Sequence, residues 1–160
     1  MKIYIIGPVG SGKTTFSKKL AKKYHCKAYE LDKIFWDDDH GNIKRSQEEV
    51  QKLFQEIIMK RNWVIEDVGR NCFIEGIQKA DVVYYLECSL VFLLYRCIRR
   101  WIRQLTGGES YSYKPTLYGL FQMLRWVFKD CRNKEKKLKK IFQHNNHCQI
   151  LHVRDIRNYE

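Results

Sequence analysis

No run of apolar residues in this sequence approaches the ~20 needed to cross a bilayer. The longest, Leu90 to Tyr95, is followed by Arg96, Arg99 and Arg100, so no spanning helix and no membrane partner are expected. Ile3-Tyr4-Ile5-Ile6 stops at Gly7-Pro8, short of the ~7–15 apolar residues of a signal-peptide core, and reads as a buried first strand. No two of the six cysteines form a C-x-x-C pair. Nothing points to secretion, so they read as reduced core thiols of a cytoplasmic protein. His144-x-x-His147-Cys148 has no second ligand cluster at zinc spacing and is not read as a metal site. An internal repeat, a low-complexity tail and a dividing linker are also absent, so residues 1–160 are expected to form a single domain. Acids are few, 18 against 30 Lys and Arg, which leaves a formal charge of +12. Such an excess asks for an anionic partner: nucleic acid, a membrane surface or phosphorylated small molecules.

What is present alternates between two periods. Lys2 to Ile6, Ala28 to Leu31, Trp63 to Ile65, Val82 to Leu86 and Gln149 to Val153 read as short strands. Between them lie helical patterns. Phe16, Leu20 and Ala21 share a face over Lys13 to Tyr24, with lysines opposite. Ser46-Gln47-Glu48-Glu49 is a capping box, and Val50, Leu53, Phe54, Ile57 and Ile58 follow at spacings of three and four, which predicts a helix over Gln47 to Lys60. Ser89 can cap another running to Gln104, and Leu117 to Phe142 reads as one long helix or two shorter ones. Strands that alternate with helices predict a parallel sheet covered on both faces.

One segment carries chemistry by itself. Gly7-Pro8-Val9-Gly10-Ser11-Gly12-Lys13-Thr14 fits G-x-x-x-x-G-K-[ST] at every specified position, and Thr15 adjoins it. A chance match in a chain of this length is on the order of one in a few hundred. The segment also sits where the mechanism needs it, between a strand and a helix. The glycines let the backbone wrap phosphate oxygens, and the helix aims free N–H groups and its dipole at the anion. Lys13 would reach the β- and γ-phosphates, and Thr14 would bind Mg²⁺. The implied ligand is ATP or GTP with Mg²⁺.

In an open parallel sheet, chemistry gathers at the carboxyl ends of the strands. Glu66 and Asp67 end the third strand, and one of them is expected near Mg²⁺ through water. Asp32, just past the second strand, is a candidate proton acceptor for an attacking hydroxyl or a group that orients the acceptor. Glu87 reads as an ordinary polar residue, and Asp37 to Asp39 as a solvated loop. Arg96, Arg99, Arg100 and Arg103 recur at three- and four-residue spacing on one helix. So many like charges destabilise a helix unless anions neutralise them, and arginine forks suit phosphate oxygens. Gly107-Gly108 can hinge a closing lid. Arg70 is a further candidate for an acceptor phosphate.

With these residues in view, the sequence resembles the adenylate-kinase-like branch of P-loop proteins. It is more narrowly similar to the DNA topology modulation (FlaR-like) family. The carrying motifs, besides the glycine-rich loop, are Leu31-Asp32-x-Ile34-x-Trp36, Trp63-Val64-Ile65-Glu66, Ala80-Asp81-Val82-Val83 and Leu124-Arg125-Trp126-Val127-Phe128-Lys129. The resemblance implies a three-layer α/β/α fold with a five-stranded parallel sheet in the order 2-3-1-4-5. It further implies ATP binding with Mg²⁺, kinase-like chemistry, an acceptor region over residues 33–62 and a lid over 104–116. Glu30-Leu31-Asp32 also looks like the acidic pair of shikimate-type kinases. Lys13, Asp32, Arg96 and Arg100 become the expected catalytic set, with Asp32, Arg70, Arg99 and Arg103 toward the acceptor. Asp67-Val68-Gly69 departs from the family's usual turn, as do Tyr111, Tyr113 and Lys114-Pro115 from its lid. The acceptor stays open between a nucleotide and a small hydroxyl compound.

The charge has an address. Residues 96–140 carry 13 basic and 3 acidic groups, a net of +10, whereas residues 1–95 carry 15 and 13, a net of +2. Phosphate handling accounts for the arginines. Lys134, Lys136, Lys137, Lys139 and Lys140 exceed that need and keep open a nucleotide-dependent, nucleic-acid-binding regulator, acting through the basic 125–140 region.

Overall fold

Ile3, Tyr4, Ile5 and Ile6 are fully buried on alternating sides, which suits a strand covered on both faces. This strand, β1 (Lys2–Ile6), is the middle of the main sheet. The computed structural model describes residues 1–37, 43–107, 115–143 and 149–156. The other strands of that sheet are β2 (Ala28–Glu30), β5 (Trp63–Asp67), β6 (Val82–Leu86) and β7 (Gln149–Val153). Their order is β2-β5-β1-β6-β7 and every pairing is parallel. Counted among themselves, these strands reproduce the expected order 2-3-1-4-5. Two residues each of β3 (Trp36–Asp37) and β4 (Ile43–Lys44) make a separate antiparallel ribbon.

Helices fill both faces. On one, Ile3 and Ile5 pack with Phe16, Leu20 and Ala21 of α1 (Lys13–Lys23). On the other, Tyr4, Ile6, Ile65 and Val83 pack with Phe54 and Ile58 of α3 (Gln47–Ile58), which the Ser46–Glu49 capping box opens. The same layer includes α2 (Leu31–Phe35), a 3-10 turn at Asn71–Phe73, α4 (Ile74–Gln78) and α7 (Lys134–Gln143). Gly76 lets α4 approach the sheet: a Cβ there would stand 2.8 Å from Tyr4 Cε2 and 2.9 Å from Phe54 Cζ. Helices α5 (Leu90–Leu105) and α6 (Leu117–Arg132) pack on each other around Leu93, Cys97 and Val127. The open choice between one C-terminal helix and two resolves as two, α6 and α7, parted at Asn133. Among the described residues no helix is long and apolar enough to cross a membrane. Residues 38–39 of the acidic loop, 108–114 of the expected lid and the His144–Cys148 motif lie outside the described residues.

Candidate functional site

The loop between β1 and α1 is built by its glycines. At Gly7 a Cβ would stand 2.8 Å from Ser11 Oγ and 2.9 Å from Leu86 Cβ, so no side chain fits without movement. Gly10 and Gly12 take φ of 80° and 95°, left-handed values that L side chains resist. Lys13 folds back over the loop and its Nζ donates to the Pro8 carbonyl at 3.0 Å. The first N–H groups of α1 have no intrahelical acceptor and lie where the loop meets the helix. Ser11 Oγ is buried there without a hydrogen-bond partner, as a donor meant for a phosphate oxygen would be.

Next to this loop stands Glu66, in the last two residues of β5 and 5% exposed. Thr14 Oγ1 donates to Glu66 Oε1 at 2.6 Å, while Glu66 Oε2 is buried with no hydrogen-bond partner. Burial pushes the Glu66 carboxyl up, against the pull of Thr14 and Lys13. Burial likewise pushes the Lys13 ammonium down, although Glu66, Asp32 and Asp67 oppose it. A cation carried by a nucleotide fits this arrangement: an orphaned carboxylate oxygen and a hydroxyl meet beside the loop. Among the described residues no three His, Cys, Asp or Glu side chains cluster to hold a metal. Phosphate and water oxygens would supply the remaining ligands, as is usual for Mg²⁺.

The two carboxylates expected near a metal have separate settings. Asp67 turns away from Thr14 and organises the next turn. Its Oδ2 accepts from the N–H groups of Gly69 at 2.7 Å and Arg70 at 2.5 Å, and its Oδ1 from Arg70 Nη1 at 2.6 Å. Arg70 also forms an ion pair with Asp32 across 38 residues of sequence. Burial works against the Arg70 charge, but Asp67 and Asp32 outweigh it and hold the guanidinium protonated above its usual range. Phe35 lies beneath, with the guanidinium carbon 4.9 Å from the ring centre. The Asp67 side chain is fully buried and that of Asp32 is 59% exposed, so Asp32 is the one open to an incoming molecule.

The arginine helix sorts by face. Arg96 reaches the loop: a Cβ on Gly12 would stand 3.1 Å from its Nη1. At about 100° per residue, Arg100 and Arg103 share the Arg96 side of α5, and Arg99 lies further round toward solvent. All three of these are exposed.

A cavity opens beside the loop, lined among others by Gly7, Pro8, Val68, Tyr85, Cys88 and Cys131. Lys134 and Lys137 close its side. Lys134 pairs with Glu87, whose carboxyl is pulled down by that hydrogen bond. Lys137 Nζ donates to Asp130 Oδ1 at 2.5 Å and to the Val68 carbonyl at 3.0 Å. Sequence reasoning missed this inward pair and took Glu87 as ordinary. The signal was present: Lys134, Lys137, Leu138 and Ile141 recur at the spacing of one helical face.

A nucleotide-binding P-loop protein of kinase-like architecture is the class that this loop, sheet order and acidic strand end define. A family model described as AAA domain matches residues 3–103, well over half of the chain, and the chain belongs to that family. It is similar to shikimate kinase of Buchnera aphidicola subsp. Baizongia pistaciae, 28% identical over 128 residues, which cover 72% of this chain and 74% of that protein. It is also 28% identical over 121 residues to tRNA dimethylallyltransferase of Nautilia profundicola, covering 74% of this chain but 36% of that one. Among solved structures, shikimate kinase from Acinetobacter baumannii in complex with shikimate aligns over 99% of this chain and 87% of its own, with a TM-score of 0.59 at 16% identity. Shikimate kinase from Bacteroides thetaiotaomicron aligns over 98% and 88%, with a TM-score of 0.57 at 18% identity. The structural likenesses establish the shared fold, and the family and sequence relatives set the chain in the P-loop kinase superfamily.

Proposed function

We propose that this protein is an ATP- and Mg²⁺-dependent phosphotransferase that hands the γ-phosphate to a nucleotide or a small hydroxyl compound. The observation that carries the reading is the meeting of Lys13, the Thr14–Glu66 hydrogen bond and the exposed Asp32 at neighbouring strand ends. Bound Mg²⁺ would neutralise charge on the phosphates. Glu66 and Thr14 hold its side of the site. Gly7 to Thr15 cradle the phosphates, and Lys13 with Arg96 and Arg100 faces the transferred group. Asp32 orients a hydroxyl or accepts its proton. Arg70, released from Asp32 by an acidic acceptor, would bind that acceptor, as would Arg99 and Arg103 from the helix.

Residues 33–62 serve as the acceptor side and 104–116 as the lid. Gly107 supports a hinge there: its φ is 71° and nothing lies within 4 Å of where a Cβ would stand. Five free thiols among the described residues accord with a cytoplasmic setting. Leu31-Asp32-x-Ile34-x-Trp36, which opens α2 beside Arg70, supports membership of the DNA topology modulation family. The reading as a nucleic-acid-binding regulator draws on exposed Lys136 and Lys139, but Lys134 and Lys137 are committed to Glu87 and Asp130.

The test is ATP turnover against a panel of nucleotides and small hydroxyl metabolites, beside a DNA titration at two salt concentrations. Acceptor-stimulated turnover that drops about a hundredfold or more in Lys13→Ala supports the kinase. Tight, salt-dependent DNA binding with no acceptor-stimulated turnover rejects it in favour of the regulator.

A further inference from the structure

Helix α5 has two apolar faces, and the body of the protein covers one. Leu93 and Cys97 are buried against Val127 of α6. Val91, Tyr95, Ile98, Ile102 and Leu105 form a second stripe at spacings of four and three, the pattern of a seam made for a partner. All five are exposed, Val91 to 77%. Helix α6 repeats the arrangement. Met123 and Val127 are buried, while Leu117, Phe121 and Phe128, within an arc of about 40°, are exposed, Leu117 to 72%. On each helix the open stripe begins beside the residue at the α5–α6 contact, Leu94 on one and Leu124 on the other. The two stripes therefore join on the outside of the pair. Large apolar residues grouped in this way mark an interaction site.

Charge selects the occupant. Residues 90–105 and 117–132 hold seven Lys or Arg and a single acid, Asp130, and Lys137 already binds that acid. Arg125, Lys129 and Arg132 occupy the arc of α6 next to its stripe, all exposed. A second copy of the chain meeting it with the same face would bring charge of the same sign and no free acid to offer. A polynucleotide would pair with the cations but leave Ile98, Ile102 and Leu117 unsatisfied. A negatively charged bilayer surface meets both demands, because its acyl boundary accepts the apolar stripe and its headgroups accept the flanking cations.

We propose that the outer face of the α5–α6 pair docks on an anionic lipid bilayer and lies along its surface. This departs from the sequence-based expectation of no membrane partner, which rests on the lack of a spanning segment, and surface docking does not need one. The Arg96 side of α5 points to the glycine-rich loop instead, so docking leaves the nucleotide site open and does not depend on which reaction that site performs.

The full chain would be sedimented with vesicles of phosphatidylcholine alone and of phosphatidylcholine mixed equally with phosphatidylglycerol. Binding to the mixed vesicles, and not to the neutral ones, is expected. Ile98→Glu/Ile102→Glu and Arg125→Glu/Lys129→Glu should each weaken it about tenfold or more, with unchanged melting temperatures because all four side chains are exposed. Equal binding to both vesicle types, no binding to either, or undiminished binding by both double variants overturns the proposal. If neither vesicle binds, light scattering and an oligonucleotide titration say whether a second copy or nucleic acid takes the face.

Discussion

Glu66 costs the folded chain stability in order to stand where it does. Its carboxyl is raised by burial, so the folded protein holds that proton more tightly than the unfolded chain. Stability from this group is therefore full below the ordinary carboxylate value, about 4.3, and is lost as pH rises through the raised one. Glu66→Gln keeps an acceptor for Thr14 and removes the charge. Lys13 loses a partner, but burial outweighs that attraction in setting Glu66. In thermal melts without nucleotide, Glu66→Gln should match the parent near pH 4, gain on it as pH rises through the raised value, and keep that gain at higher pH. The melting shift produced by ATP and Mg²⁺ should shrink in the same variant. At this scale the sequence was legible where function is contiguous: Gly7 to Thr14 can be read letter by letter. It was not legible where function is assembled. Nothing local says that Asp67 serves Gly69 and Arg70 while Glu66 serves Thr14, since adjacent residues on a strand face opposite ways. Nor does spacing betray that Arg70 meets Asp32, because only the β2–β5 pairing brings them together.

Elements show the same division by length. The helix expected over Gln47 to Lys60 is α3, Gln47–Ile58, and its Ser46–Glu49 capping box forms as read. The arginine helix, expected to run to Gln104, is Leu90–Leu105. Both have several turns of apolar periodicity to declare them. The expected strand Ala28 to Leu31 ends at Glu30, and Leu31 opens α2. That five-residue helix and the β3–β4 ribbon are held by distant groups: Arg45 Nη1 donates to the carbonyls of Lys33, Ile34 and Trp36, and Arg45 pairs with Asp37 at 3.1 Å. Elements of one or two turns lack a periodic signal and depend on such contacts. Helix α4 is another, and its closeness to the sheet rests on one position. Gly76→Ala must displace Tyr4 or Phe54, both fully buried. It should lower stability by about 1–3 kcal/mol in urea unfolding, with nucleotide affinity less affected.

Over the whole molecule the distribution of charge matters more than its total. A net of +10 sits in residues 96–140, and among the described residues ion pairs answer part of it, at Lys134 and Lys137. Like charges this close oppose the compact state, and counter-ions relieve them within a Debye length of about 10 Å at 0.1 M salt. The melting temperature should rise by a few degrees between about 0.02 M and 0.2 M sodium chloride. A fall over that range would mean that the ion pairs outweigh the repulsion. The fold itself was legible in outline because parallel sheets announce themselves by doubly buried apolar strands. Ile3 to Ile6, Trp63 to Ile65 and Val83 to Leu86 are such strands.

The position of β1 has a consequence for how the protein is made. It is made before the other strands of its sheet and is the central one, and its neighbours begin only at Trp63 and Val82. At about 5–20 residues per second, Ile3-Tyr4-Ile5-Ile6 waits several seconds with both edges open. An apolar strand in that state is a handhold for chaperones and for other nascent chains. The glycine-rich loop rides on the same strand, and Gly7 N–H finds its acceptor in the Asp67 carbonyl. Nucleotide therefore meets a finished cradle only after the ribosome has passed β5, and bound nucleotide can steady the chain from that point on.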